Sequence, residues 1–125
     1  MAIITPATAD QVETMDGFEG RYTERDGIVV GFETYTADAD PSELFRGLPN
    51  DRCQCPHHGY VLRGELVFQY ADGTEDRITA GQAYTAPPGH LPVFTAGTEI
   101  VEFSPAAEMA ETMRVVLANL AKAEA

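Results

Sequence analysis

Both cysteines and all three histidines of this 125-residue chain fall in two short segments, DRCQCPHHG (Asp51 to Gly59) and PPGHLP around His90. Thiolate and imidazole together suit zinc, iron or copper better than magnesium or calcium, because soft and borderline donors match those ions. In an extended strand alternate side chains share a face, so Asp51, Cys53, Cys55 and His57 are expected on one side and His58 on the other. An extended C-x-C segment lacks the Cα and Cβ geometry of an ordinary disulfide. A zinc ribbon needs a second pair of cysteines, and the chain has none.

The elements that must position these residues are strands. GIVVGFETYT (Gly27 to Thr36) and GYVLRGELVFQY (Gly59 to Tyr70, kinked at a glycine) are rich in β-branched and aromatic residues. Asp72-Gly73 is a hairpin turn signal, and Glu75 to Thr79 supplies the returning strand. Gly81 to Ala86, His90 to Thr95 and Glu99 to Phe103 complete a series of short strands, the pattern of a barrel or sandwich. Met109, Met113, Val116, Leu117 and Leu120 recur at three-four spacing and predict a surface helix after the sheet. Residues Ala37 to Asn50 read as a loop covering something, with a helical turn at Ser42 to Phe45. The first stretch of about 20 residues carries no pattern that assigns it.

Glycine and proline spacing resembles that of the small cupins. Their first motif places a Gly after its Glu with six residues between, and Gly64 stands at that spacing from His57; the Gly, Pro and Gly of their second motif, G-x5-P-x-G-x2-H, are met by Gly81, Pro87 and Gly89. The resemblance implies an all-β fold, a cupin-type double-stranded β-helix (jelly-roll barrel) with a C-terminal helix. It implies one domain over residues 1–125, with a barrel core of about 27–105 and a helix of about 107–122. The ligand positions depart from the family: Asp51, Cys53, His57 and Pro92 stand where the cupins carry His, His, Glu and His. Pro92 cannot bind a metal, but His90 lies two residues earlier and on a regular strand projects to the same side. The expected metal ligands are therefore Cys53 or Cys55, His57 and His90, with Asp51 a weaker fourth candidate and zinc, iron or copper as the ion. Tyr60, Tyr84 and Glu102 are the groups expected to move protons beside it; Glu33 and Glu65 are expected to be solvated.

Twenty Asp and Glu against eight Lys and Arg give a net charge of −12, which repels nucleic acid and anionic membranes. There is no apolar run of about 18 residues and no basic-then-apolar start, so a cytoplasmic protein is expected. Three functions compete. In the first, a metal-centred pocket acts on or binds a small organic molecule. In the second, a cupin without metal simply binds such a molecule. In the third, Cys53 or Cys55 is a thiol activated by His57. A homodimer is expected, since the helix and the N-terminal segment offer apolar surface.

Overall fold

The computed structural model describes residues 3–123. Nine strands run β1 (Gln11–Met15), β2 (Phe18–Arg25), β3 (Ile28–Tyr35), β4 (His57–Arg63), β5 (Glu65–Tyr70), β6 (Glu75–Thr79), β7 (Ala83–Ala86), β8 (His90–Phe94) and β9 (Thr98–Pro105), and a helix, α1 (Ala106–Ala123), closes the chain. Strands β3 to β9 lie where β-branched and aromatic residues cluster. The β1–β2 hairpin extends the sheet back to Gln11, well before the expected start of the barrel. Among the described residues no helix is long and apolar enough to cross a membrane.

The strands form two antiparallel sheets, β1-β2-β3-β9-β4-β7 and β6-β5-β8. The chain passes from one to the other at Gly64, between β4 and β5. Apolar side chains from both sheets meet in one core: Tyr35, Val61, Tyr84 and Ile100 from the larger, Leu66, Phe68, Ile78 and Phe94 from the smaller. Tyr35 stacks on Phe94 at 3.8 Å between ring centroids and ties the two layers together. At the β5–β6 turn Asp72 accepts a hydrogen bond from the Thr74 amide at 2.9 Å, which explains why Asp-Gly closes this hairpin.

One cross-strand row shapes the interior. Tyr22, Gly31, Glu102, Gly59 and Tyr84 are consecutive register partners across β2, β3, β9, β4 and β7. A methyl group on Gly31 would collide with the Tyr22 ring, and one on Gly59 with the Tyr84 ring. The two glycines thus let two tyrosines lie flat over the sheet on either side of Glu102.

Helix α1 packs back over the barrel rather than standing free on the surface. Phe45, Leu48, Cys53, Cys55, Leu91 and Val116 form a second core with Met109 and Met113 against it. Asn119 donates to the carbonyls of Leu44 and Arg46 at 2.7 and 2.8 Å, so the helix holds the loop containing the 3-10 turn Ser42–Phe45. Leu117, expected on the apolar stripe, is instead half exposed, because it is about 100° round the helix from Val116.

Replacing Gly59 by Ala forces the added methyl into the Tyr84 ring, an overpacked contact that costs about 1–3 kcal/mol. Urea denaturation should show this loss, and stability equal to the parent's would contradict the flat packing of Tyr84.

Candidate metal centre and cavity

Cys53 reaches the barrel through two backbone hydrogen bonds: its amide donates to the His90 carbonyl at 2.8 Å, and the Gly89 amide donates to the Cys53 carbonyl at 2.7 Å. This single bridge sets Cys53 beside the first residue of β8. His57 opens β4 with its side chain inward. The rings of His57 and His90 lie 4.9 Å apart, edge to face, and Cys53 Sγ is 3.5 Å from His57 Nε2. The nitrogen and sulfur ligand atoms of Cys53, His57 and His90 all lie within 4.8 Å of one another, and all three residues are buried.

Two residues expected with them lie elsewhere. Cys55 is fully buried, but its thiol donates toward the carbonyls of Pro56 and Pro105 in the second core, and it is no member of the triad. Asp51 is exposed and accepts a hydrogen bond from the Gly47 amide. Asn50 and Asp51 both adopt φ of 55°, so the segment turns there and the alternation of an extended strand does not apply. His58 points outward from β4, as expected. Pro92 lines the cavity without offering a donor.

Hydrogen bonding sets the histidine tautomers. The Pro87 carbonyl can only accept, so His90 Nδ1–H donates to it at 2.7 Å, and the lone pair sits on Nε2. That Nε2 is buried and has no hydrogen-bond partner among the described residues. His57 Nδ1 lies 2.7 Å from Ser104 Oγ and 3.3 Å from Glu102 Oε1; with the proton on Nδ1, its Nε2 lone pair faces Cys53. Burial pushes both imidazoles down to about 4, helped at His57 by His58 and at His90 by His57. The His57–Glu102 contact is therefore a hydrogen bond of a neutral ring.

The thiols shift the other way. Burial pushes Cys53 up to about 11 and Cys55 up to about 12. Neither is an activated nucleophile, because a neutral His57 has no charge with which to stabilise a thiolate.

Beside the triad lies a proton-bearing network. Tyr84 donates to Glu102 at 2.5 Å, and Glu33, expected to be solvated, accepts from Tyr22 at 2.5 Å and Tyr35 at 3.2 Å. Burial raises both carboxyls to about 7, and the charge of Glu102 adds to the rise at Glu33. Tyr60 is outside this network: on β4 it points away from the interior and is 40% exposed. Ser104, Thr112 and Tyr22 are residues that the sequence does not single out. The alternation that turns Val101 and Phe103 outward carries Ser104 inward with Glu102, and this was the available signal for it.

A cavity of about 450 Å³ opens between the sheets, with α1 and the loop before β4 over it. Cys53, His57, Glu33 and Glu102 line it, against a largely apolar wall that includes Phe18, Phe68 and Phe94.

No family model matches the chain, and no curated protein sequence matches it. Solved structures do. An RmlC-like cupin from Shewanella frigidimarina is 20% identical with a TM-score of 0.58, covering 85% of this chain and 92% of that one. The polyketide cyclase RemF from Streptomyces resistomycificus is 15% identical with a TM-score of 0.58, covering 85% of this chain and 80% of the cyclase. KdgF from a Halomonas species is 15% identical with a TM-score of 0.50, covering 76% of this chain and 86% of that one. The protein has the cupin fold, as the glycine and proline spacing implied.

The buried groups make opposing contributions to stability. Glu33 and Glu102, raised from 4.5, contribute fully below about 4.5 and lose that contribution as the pH rises through about 7. His57 and His90, lowered from 6.5, contribute fully above 6.5 and lose it as the pH falls through about 4. Glu102→Gln removes one rising-pH loss and, without the Glu102 charge, lessens that at Glu33. Its stability relative to the parent should therefore climb between pH 4.5 and 7 in urea melts; a flat or falling difference would show that Glu102 is not held protonated by burial.

Proposed function

We propose that this protein is a small-molecule cupin whose pocket is centred on a transition metal held by Cys53 Sγ, His57 Nε2 and His90 Nε2. One observation carries the reading: His90 Nε2 is a buried lone pair with no partner among the described residues, beside an imidazole and a thiol. An unsatisfied buried acceptor is costly. Three nitrogen and sulfur donors suit zinc, iron or copper and leave a coordination position open for a ligand, as catalytic metal sites do.

The protein groups around the triad have separate tasks. The Pro87 carbonyl fixes the His90 ring, and Ser104 with Glu102 fixes that of His57, so both present Nε2 to the same point. When bound, the ion would supply Lewis-acid polarisation of a small organic ligand or a more acidic water. Tyr84 and Glu102, joined by a hydrogen bond, hold a proton at the Glu102 carboxyl on the cavity wall. Helix α1 and the loop it holds keep bulk water from this end of the barrel. Tyr60 takes no part.

Protein purified without a histidine tag should contain about one zinc, iron or copper per chain by elemental analysis. Cys53→Ala, His57→Ala and His90→Ala should each lose most of it, whereas Cys55→Ser should retain it. Metal-free protein that takes up none of these ions would overturn the reading and leave a metal-free binding module. Retention of metal by His90→Ala would overturn the ligand set. The proposed homodimer is supported by Tyr60, Leu62 and Phe103, exposed together on the outer face of adjacent strands β4 and β9. Light scattering should give twice the chain mass of 13.5 kDa, and a monomer mass would refute it.

A further inference from the structure

The metal reading accounts for Glu102, which orients His57, but not for Glu33. Glu33 lies one strand further along the sheet and lines the cavity. Each of its carboxylate oxygens accepts one tyrosine hydroxyl, Oε2 from Tyr22 and Oε1 from Tyr35. A carboxylate has about four lone-pair sites, so each oxygen can take a further donor. These hydroxyls supply hydrogen bonds but no countercharge. Among the described residues none lining the cavity is Lys or Arg.

The surroundings also select by charge. Asp16, Asp38 and Asp40 stand exposed, and Glu13 half-buried, around the same cavity. An anionic ligand would meet carboxylates at the rim and again inside, whereas a cation is drawn toward both. Phe18, Tyr35 and Phe94 form a continuous aromatic run beside Glu33, with centroid spacings of 5.1 and 3.8 Å. Such a surface accepts an apolar body. The cavity volume of about 450 Å³ is ordinary for a small-molecule site.

We propose that the cavity is selective for an organic ammonium ligand with an apolar or aromatic body, its charged nitrogen donating to Glu33 between Tyr22 and Tyr35. This specificity rests on the cavity being a small-molecule site, as proposed above, and it does not require the metal. In the metal-free protein the same groups disfavour a carboxylate or phosphate ligand.

Benzylamine, benzyl alcohol and benzoate test this, since they share a ring and differ in charge. Binding is followed by chemical-shift changes of the protein near pH 7.5, once after chelator treatment and once with zinc added, with metal content measured on the same samples. Benzylammonium should bind at least about tenfold more tightly than benzyl alcohol, the difference worth about 1.4 kcal/mol, and benzoate should bind most weakly. Glu33→Gln, checked for folding by its spectrum, should erase the preference for the amine and leave its zinc content unchanged. If the alcohol or benzoate binds as well as the amine, if the amine does not bind at about 10 mM, or if Glu33→Gln keeps the preference, the inference fails. The parent comparison stands without the variant. Zinc uptake with no amine preference would sink this inference alone, and amine preference with no zinc uptake would sink the metal reading alone.

Discussion

His90 is wholly buried, and an imidazole in that position must satisfy two nitrogens without water. The Pro87 carbonyl takes care of Nδ1 at 2.7 Å, and that bond commits the ring to a tautomer whose other nitrogen is an acceptor. Among the described residues no donor reaches that acceptor. The same backbone that positions His90 also binds Cys53, through the paired hydrogen bonds joining Gly89, His90 and Cys53. His57 is delivered from the opposite sheet, so the donors converge only because the barrel is closed. The ring orientation, the tautomer and the backbone bridge thus describe one constraint seen at three levels.

Around that constraint the interior balances charge by removing it. The imidazoles are held neutral and the carboxyls are pushed toward their protonated forms, both chiefly through burial. The tyrosines over Gly31 and Gly59 make this tolerable, since their hydroxyls donate to the carboxyls where bulk water does not. The site is therefore rich in protons at neutral pH without holding a fixed positive charge. An ion or ligand entering it changes protonation as it binds.

Much of the fold was legible in the sequence because alternation and turn chemistry are local. Gly64, Gly81, Pro87 and Gly89 fall at the corners expected of them, and the strands from β3 onward follow their β-branched residues. The β1–β2 hairpin carried the same Asp-Gly signal at Asp16-Gly17 as the hairpin at Asp72-Gly73, but its strands alternate through Glu13, Glu19 and Arg21 and show little apolar contrast. The site was partly legible: His57, His90 and one sulfur were expected near one another, and they are. Which sulfur was not legible, since it depends on the left-handed turn at Asn50 and Asp51 that breaks the strand before Cys53. Glu33 was misread for a different reason. A carboxylate alternating with apolar residues looks the same in sequence whether its face meets solvent or a polar barrel interior, and the hydroxyls of Tyr22, on the neighbouring strand two register positions along, and of Tyr35 distinguish the cases.

The ligand set itself is tested most directly by X-ray absorption at the zinc edge of protein reconstituted with zinc. The account predicts one sulfur scatterer at about 2.3 Å and two imidazole nitrogens at about 2.0 Å, with a remaining light-atom ligand from solvent. A spectrum with no sulfur, or with only oxygen neighbours, would place the ion away from Cys53 and His90 and contradict it.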